Sequence, residues 1–358
     1  IQRYLKDHGY YTLSGGKVLH HNFGGRLSED IDQSLGRARS PRPRKPMSRP
    51  ASWSGAWDWG AYPETDVQMG DVQLAEAAAK ALKEDFEKPF FMSVGFFRPH
   101  VPLLVPPKWF ELYEQDKIIL PNNSKSDLED LPKNFLSIND YAVAPTHAEV
   151  MGSGNQRSLT HAYLASVSFV DHCVGMVVDA LEASSYVDNT IIVLWSDHGF
   201  HIGEKENWEK FALWDQTTRV PFFIHAPGVS KDGKRCQQAV TLTDIYPTLC
   251  ELAKIPIPNQ CHGKSLVKHL KEPNLITEKT SLTSFQFWGE KTPSHAVSDD
   301  KHRYISYGNG FEELYDLEKD PHEFKNLASD ENYSEIKNKL KKFQENNTFK
   351  NVIQPNIK

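Results

Sequence analysis

Continuous apolar runs of strand length, each followed by a segment with helical periodicity, constrain this chain more than any other feature. "KPFFMSVGFF", "NTIIVLW" and "RVPFFIHAPG" are apolar without alternation. That pattern belongs to strands covered on both faces, as in parallel sheets with helices packed on each side. Between and beside them, "MGDVQLAEAAAKALKEDF", "RSLTHAYLASVSFVDHCVGMVVDALEAS" and "TDIYPTLCELA" carry helix formers at a 3.6-residue spacing. Residues 2 to 8 read as a further helix stopped by Gly9, followed by the short strand "YYTLSGGK". The fold class expected is therefore α/β, a mostly parallel, doubly wound sheet flanked by helices.

After about residue 275 the pattern changes. "TSLTSFQFW", "SHAVSDDKHRYISY" and "EELYDL" are short strands joined by turns, closed by the helical "NYSEIKNKLKKFQEN". We expect an α/β domain over residues 1–274 and a small antiparallel α+β subdomain over 275–358. Between Gly36 and Pro50 lies "GRARSPRPRKPMSRP", with five Arg, one Lys and four Pro. Proline excludes regular structure there, so an exposed loop is expected, which could also grip a sulfated polymer by charge.

Bulk properties exclude some classes. The net charge of −6 argues against a nucleic-acid partner, and no apolar run approaches the roughly 20 residues of a membrane span. Cys173, Cys236, Cys250 and Cys261 have no CxxC spacing, which leaves a Cys236–Cys250 or Cys250–Cys261 disulfide open. The three tryptophans of "WSGAWDWG" suit a buried cluster better than a sugar-stacking surface.

In a doubly wound sheet, ligands collect at the carboxyl ends of the strands. Three loops there carry chemistry. "SGGKVLHH" offers Lys17 and His20, "FFRPHVPL" offers Arg98 and His100, and "SDHGFHIGEKENWEK" offers Asp197, His198 and Lys210. Cations and histidines of this kind suit a multivalent oxyanion such as sulfate or phosphate beside a hard divalent cation. His201, Glu204, Lys205 and Glu206 of the third loop are expected on its surface. No nucleophile elbow, P-loop or dinucleotide fingerprint offers another chemistry.

These stretches, with "AYLASVSFVDHCVGMVVDALE" and "ELYDLEKDPHEFKNLA", resemble the type I, formylglycine-dependent sulfatases of the alkaline phosphatase superfamily, in the iduronate-2-sulfatase-like branch. The resemblance runs through nearly the whole chain. It implies that Lys17 binds sulfate, that His20 acts as a base, and that His100 and Lys210 contact the sulfate and bridging oxygens and serve in catalysis. It implies Arg98 as a further substrate contact, and Asp197 and His198 as ligands of Ca²⁺. The partner implied is a sulfated carbohydrate, the location secreted, periplasmic or lysosomal, and the oligomeric state is left open.

The family's Cys-x-Pro/Ala-x-Arg motif, source of its formylglycine, starts at none of the four cysteines, and its first-strand Asp pair is not found. An N-terminally truncated, poorly soluble and inactive chain is therefore expected. A phosphonate or phosphodiester hydrolase of the same superfold, and a non-catalytic polysaccharide-binding pseudoenzyme, are the alternatives.

Overall fold

The computed structural model describes residues 1–18, 29–122, 127–131, 144–277, 279–287 and 291–348. Two compact units emerge, one of residues 1–121 and 142–190, the other of 122–141 and 191–358. The expected boundary at 274/275 falls inside the second unit.

The first unit opens with α1 (Gln2–Asp7), which ends before Gly9 at φ 86°. Strand β1 (Tyr11–Gly16) lies between β2 (Gln33–Gly36) and β4 (Phe90–Gly95), parallel to both. Strands β3 (Trp59–Ala61) and β5 (Leu103–Val105) form a second parallel pair. Helix α2 (Gly70–Ala81) presents Leu74, Ala78 and Ala81 to Leu13 of β1 and Leu35 of β2. Those residues sit at spacings of four and seven from Leu74, one stripe of a helix, and the two alanines let helix and sheet approach closely.

The 27-residue α3 (Gln156–Glu182) packs Ala165, Phe169 and Cys173 on Met69, Val72, Ala75 and Val105. By length and composition α3 is apolar enough to cross a membrane, which corrects the expectation that no segment approaches that length. Here Leu159, Ala162, Ala165 and Phe169 are buried in the unit's own core.

In the second unit, β6 (Ile192–Trp195) and β7 (Phe222–His225) pair antiparallel. The residues between them hold only short helical turns, so no crossover helix forces a parallel return. Both strands are less covered than continuous apolar runs suggest, with Trp195 47% and Phe223 65% exposed. After α4 (Ile245–Leu252) come β8 (Ser281–Phe285), β9 (Ser294–Ser298), β10 (His302–Ser306) and β11 (Glu312–Asp316), a four-stranded antiparallel meander. Alternation along β10 buries Tyr304 under Leu340 of α5 (Ser334–Asn347), while Ile305 faces Trp214 and Tyr315. The mostly parallel α/β portion with an antiparallel C-terminal sheet is the class read from the sequence. All four cysteines are free thiols, which closes the disulfide question.

Candidate active site

The carboxyl ends of β1 and β4 are drawn together by three glycines. A Cβ on Gly16, where φ is 74°, would lie 2.1 Å from the Gly95 carbonyl oxygen, and one on Gly95 would lie 2.5 Å from the Lys17 carbonyl carbon. A Cβ on Gly15 would meet Leu35 and Leu74 at 2.6 Å. The Lys17 amide donates to the Gly95 carbonyl at 2.6 Å, so Lys17 emerges beside the start of the "FFRPH" loop.

Phe97 is the platform there. The Lys17 ammonium lies 5.7 Å from its ring centroid, and the His100 ring lies 4.9 Å from it, tilted by 42°. His100 Nδ1 is 2.7 Å from the Val101 carbonyl oxygen. A carbonyl only accepts, so Nδ1 carries hydrogen and Nε2 is the nitrogen that can exchange a proton with a substrate. Lys17 and His100 thus both lie beside the Phe97 ring.

Arg98 is buried, and its guanidinium donates to the Leu104 carbonyl at 3.0 Å and the His100 carbonyl at 3.3 Å. Those bonds tie the loop to itself. Burial lowers the Arg98 pKa to about 10, with Asp71 acting the other way and Arg42 reinforcing the fall. Asp71, fully buried in the first turn of α2, accepts the Phe97 amide at 2.6 Å, and burial raises its pKa. Asp71 is a residue that sequence reasoning passed over, since an acid in a first helical turn looks like ordinary capping. His20 lies outside the described residues.

In the second unit, β6 delivers Asp197 and His198 to its carboxyl end. Gly199 is required there, because a Cβ would lie 2.0 Å from the Gln216 carbonyl oxygen. His198 Nδ1 is 2.7 Å from the Gly199 carbonyl, so Nε2 is the nitrogen with ligand capacity. That Nε2 is 3.7 Å from Asp197 Oδ1. Ligand atoms sit about 2.0–2.6 Å from a divalent ion, so two donors at that separation can take neighbouring positions on one cation. The carboxylate is a hard donor suited to Ca²⁺, the imidazole less so. Among the described residues no group of three or more His, Cys, Asp or Glu surrounds a potential ion, so these two are a partial set.

The rest of this loop is not the surface expected of it. His201 and Lys205 are 0% and 2% exposed, whereas Glu204 is half-buried and Glu206 exposed. His201 Nδ1 lies 2.8 Å from the Thr217 hydroxyl, and burial pulls its pKa down to about 3. Lys205 donates to Asp127 Oδ1 at 2.6 Å and to the Glu323 carbonyl, and its ammonium lies over the Trp214 and Tyr315 rings at 5.6 and 5.2 Å. Its partners come from residues 78 before and 118 after it in the chain, and no local signal names them. Lys205 and Glu206 take left-handed φ values of 53° and 50°, a conformation that costs non-glycine residues energy.

Lys210, five residues on, is half-buried with its ammonium 5.7 Å from the Phe211 centroid. Beside it, burial raises the Glu209 pKa to about 8, and Lys210 moderates the rise.

Comparison with known proteins identifies the family. The family model "Sulfatase" matches residues 1–255, and "N-sulphoglucosamine sulphohydrolase, C-terminal" matches 203–349. A sulfatase of Formosa agariphila is 38% identical over 341 residues, 92% of this chain and 66% of that protein. The iduronate 2-sulfatase of Mus musculus is 27% identical over 357 residues, 80% of this chain and 62% of its own length. In fold, the phosphonate monoester hydrolase of Agrobacterium radiobacter superposes with a TM-score of 0.73 at 19% identity, over 94% of this chain and 77% of that one. The chain thus spans just under two thirds of the two curated relatives. Its extent of match, in sequence order from the first strand to the C-terminal sheet, shows that the chain belongs to the sulfatase family.

Proposed function

We propose that this chain carries the anion-binding groups and part of the metal-binding set of a sulfuric ester hydrolase that removes sulfate from a sulfated carbohydrate. The observation that carries the reading is the placement of both Lys17 and His100 beside the Phe97 ring, after the carboxyl ends of two adjacent parallel strands. An ammonium and an imidazole there neutralise sulfate oxygens, and His100 Nε2 can hand a proton to a leaving alcohol. Lys210 is proposed as a second sulfate contact and His20 as a base. Arg98, bonded to the carbonyls of its own loop, would act by holding His100 in place.

Asp197 and His198 would hold calcium, which when bound supplies Lewis-acid polarisation of a sulfate oxygen. The formylglycine of the family has no source motif among the four cysteines, so no residue of this chain is assigned the nucleophile. The sugar is inferred from the iduronate 2-sulfatase relative. Residues 275–358 are proposed as a C-terminal subdomain, and export as the family's usual location.

Titration of inorganic sulfate into the purified chain tests the reading. Lys17→Ala and His100→Ala should each weaken binding about tenfold or more, as loss of a charge-assisted contact worth about 1.5–3 kcal/mol requires. Unchanged affinity in both variants sinks it. A higher rate on an aryl phosphate than on the matched aryl sulfate would favour the phosphonate hydrolase alternative.

A further inference from the structure

The loop of residues 37–50 is exposed, as expected, but it is also built. Asp58, buried beneath it, accepts the backbone amides of Met47, Ser48 and Arg49 at 3.0–3.2 Å, together with its neighbour Trp59 at 3.0 Å. One carboxylate thereby organises three successive loop residues, and Pro41, Pro43, Pro46 and Pro50 restrict the rest. Arg49 is spent locally on the Pro50 and Trp53 carbonyls at 3.3 and 2.7 Å.

Around this frame opens a cleft of about 210 Å³, lined by Arg42, Arg44, Lys45, Arg49 and Asp58, with Pro102 and Leu104 as its floor. Four cations face one carboxylate, a formal +3, in a chain of net charge −6. Arg42, Arg44 and Lys45 are exposed, and among the described residues no ion pair neutralises them. Such a charge held in a preorganised loop is suited to a multivalent anion.

Two further observations narrow that anion. Pro102 lies in the loop that carries His100 and Leu104 in β5 directly after it, and Arg98, which bonds to Leu104, feels the charge of Arg42. The cleft and the proposed sulfate pair therefore flank one loop of the first unit. Trp53, Trp57 and Trp59 nearby in the sequence are buried, at 7%, 3% and 3% exposure, so these three rings offer no stacking platform for nucleotide bases.

We infer that Arg42, Arg44 and Lys45 form a second anion subsite, taking an additional sulfate of a polysulfated oligosaccharide. The choice of sulfate over other anions rests on the proposed function; the existence of an anion site does not. A heparin hexasaccharide titrated into the full chain at several salt concentrations tests it. The Arg42→Ala/Arg44→Ala/Lys45→Ala triple variant should lose about tenfold or more in affinity, and the slope of log Kd against log salt should fall by about 2. The corresponding triple glutamine variant, which keeps the side-chain stems, should behave alike. Removing Lys80, Lys83 and Lys88, three exposed lysines elsewhere in the first unit, should change affinity less than about twofold if the site is local.

Undiminished binding by both cleft variants, an equal loss in the lysine control, or equally tight binding of a single-stranded DNA of matched charge would overturn the inference. The Lys17→Ala/His100→Ala double variant separates the two readings. Measured in the triple-alanine background, where the cleft cannot hold sulfate, unchanged inorganic sulfate binding on adding this pair sinks the proposed function, while the loss of the hexasaccharide in the cleft variants alone upholds the subsite.

Discussion

Individual side chains in the second unit face unusually strong opposing costs. Lys205 is nearly inaccessible, and its charge is met by Asp127, also buried, and by the Glu323 carbonyl. Removing one partner of such a pair leaves the other charge desolvated. Lys205→Met should therefore destabilise by about 3–5 kcal/mol in urea unfolding, and adding Asp127→Leu should restore much of it.

Glu209 should give the protein a distinct pH response. Burial raises its folded pKa to about 8, above the ordinary 4.5, so the folded state holds the proton more tightly. Its share of stability is full below about pH 4.5 and is lost as pH rises through 8. His201 works in the opposite window: its folded pKa near 3 keeps its share full above about 6.5 and loses it as pH falls towards 3. Glu209→Gln should flatten the alkaline decline in Tm, and His201→Gln the acid decline. A Glu209→Gln profile that parallels the parent would show that Glu209 does not carry the alkaline limb.

At the scale of elements, the junction of β1 and β4 decides where Lys17 goes. Gly16→Ala combines a left-handed backbone with a contact of 2.1 Å to a carbonyl oxygen that cannot retreat without breaking the β4 pairing. We expect a loss of about 2–3 kcal/mol and weakened sulfate binding, measured by thermal unfolding and titration. The helices and most strands were legible in the sequence, because their stripes and apolar runs are local patterns. The direction of β6 against β7 was not. Antiparallel pairing there depends on the loop between them lacking a long helix, and the apolar run reads the same in either direction.

For the whole molecule, the proposed calcium ligands Asp197 and His198 would link binding to stability. An ion bound only by the folded chain adds about 2.7 kcal/mol at a hundred times its Kd. Calcium should raise the Tm of the chain, and Asp197→Asn should abolish the rise. An equal rise in that variant would place the ion elsewhere.

Some properties follow from the sequence alone. The glycines before Lys17, the Arg-Pro-His turn and the Asp-His-Gly after β6 are contiguous, so the family and the candidate site residues on described positions could be named without coordinates. Other assignments needed the folded chain. His201 and Lys205 looked like loop surface because "HIGEKENWEK" is mostly polar, and only tertiary contacts 78 and 118 residues distant bury that lysine. Arg98 could equally have faced an anion, until its own loop's carbonyls claimed it. The basic loop reads from its prolines as exposed and irregular, and only the folded chain shows Asp58 gathering its amides. Pattern is written in neighbours along the chain, whereas burial and charge pairing are settled by neighbours in space.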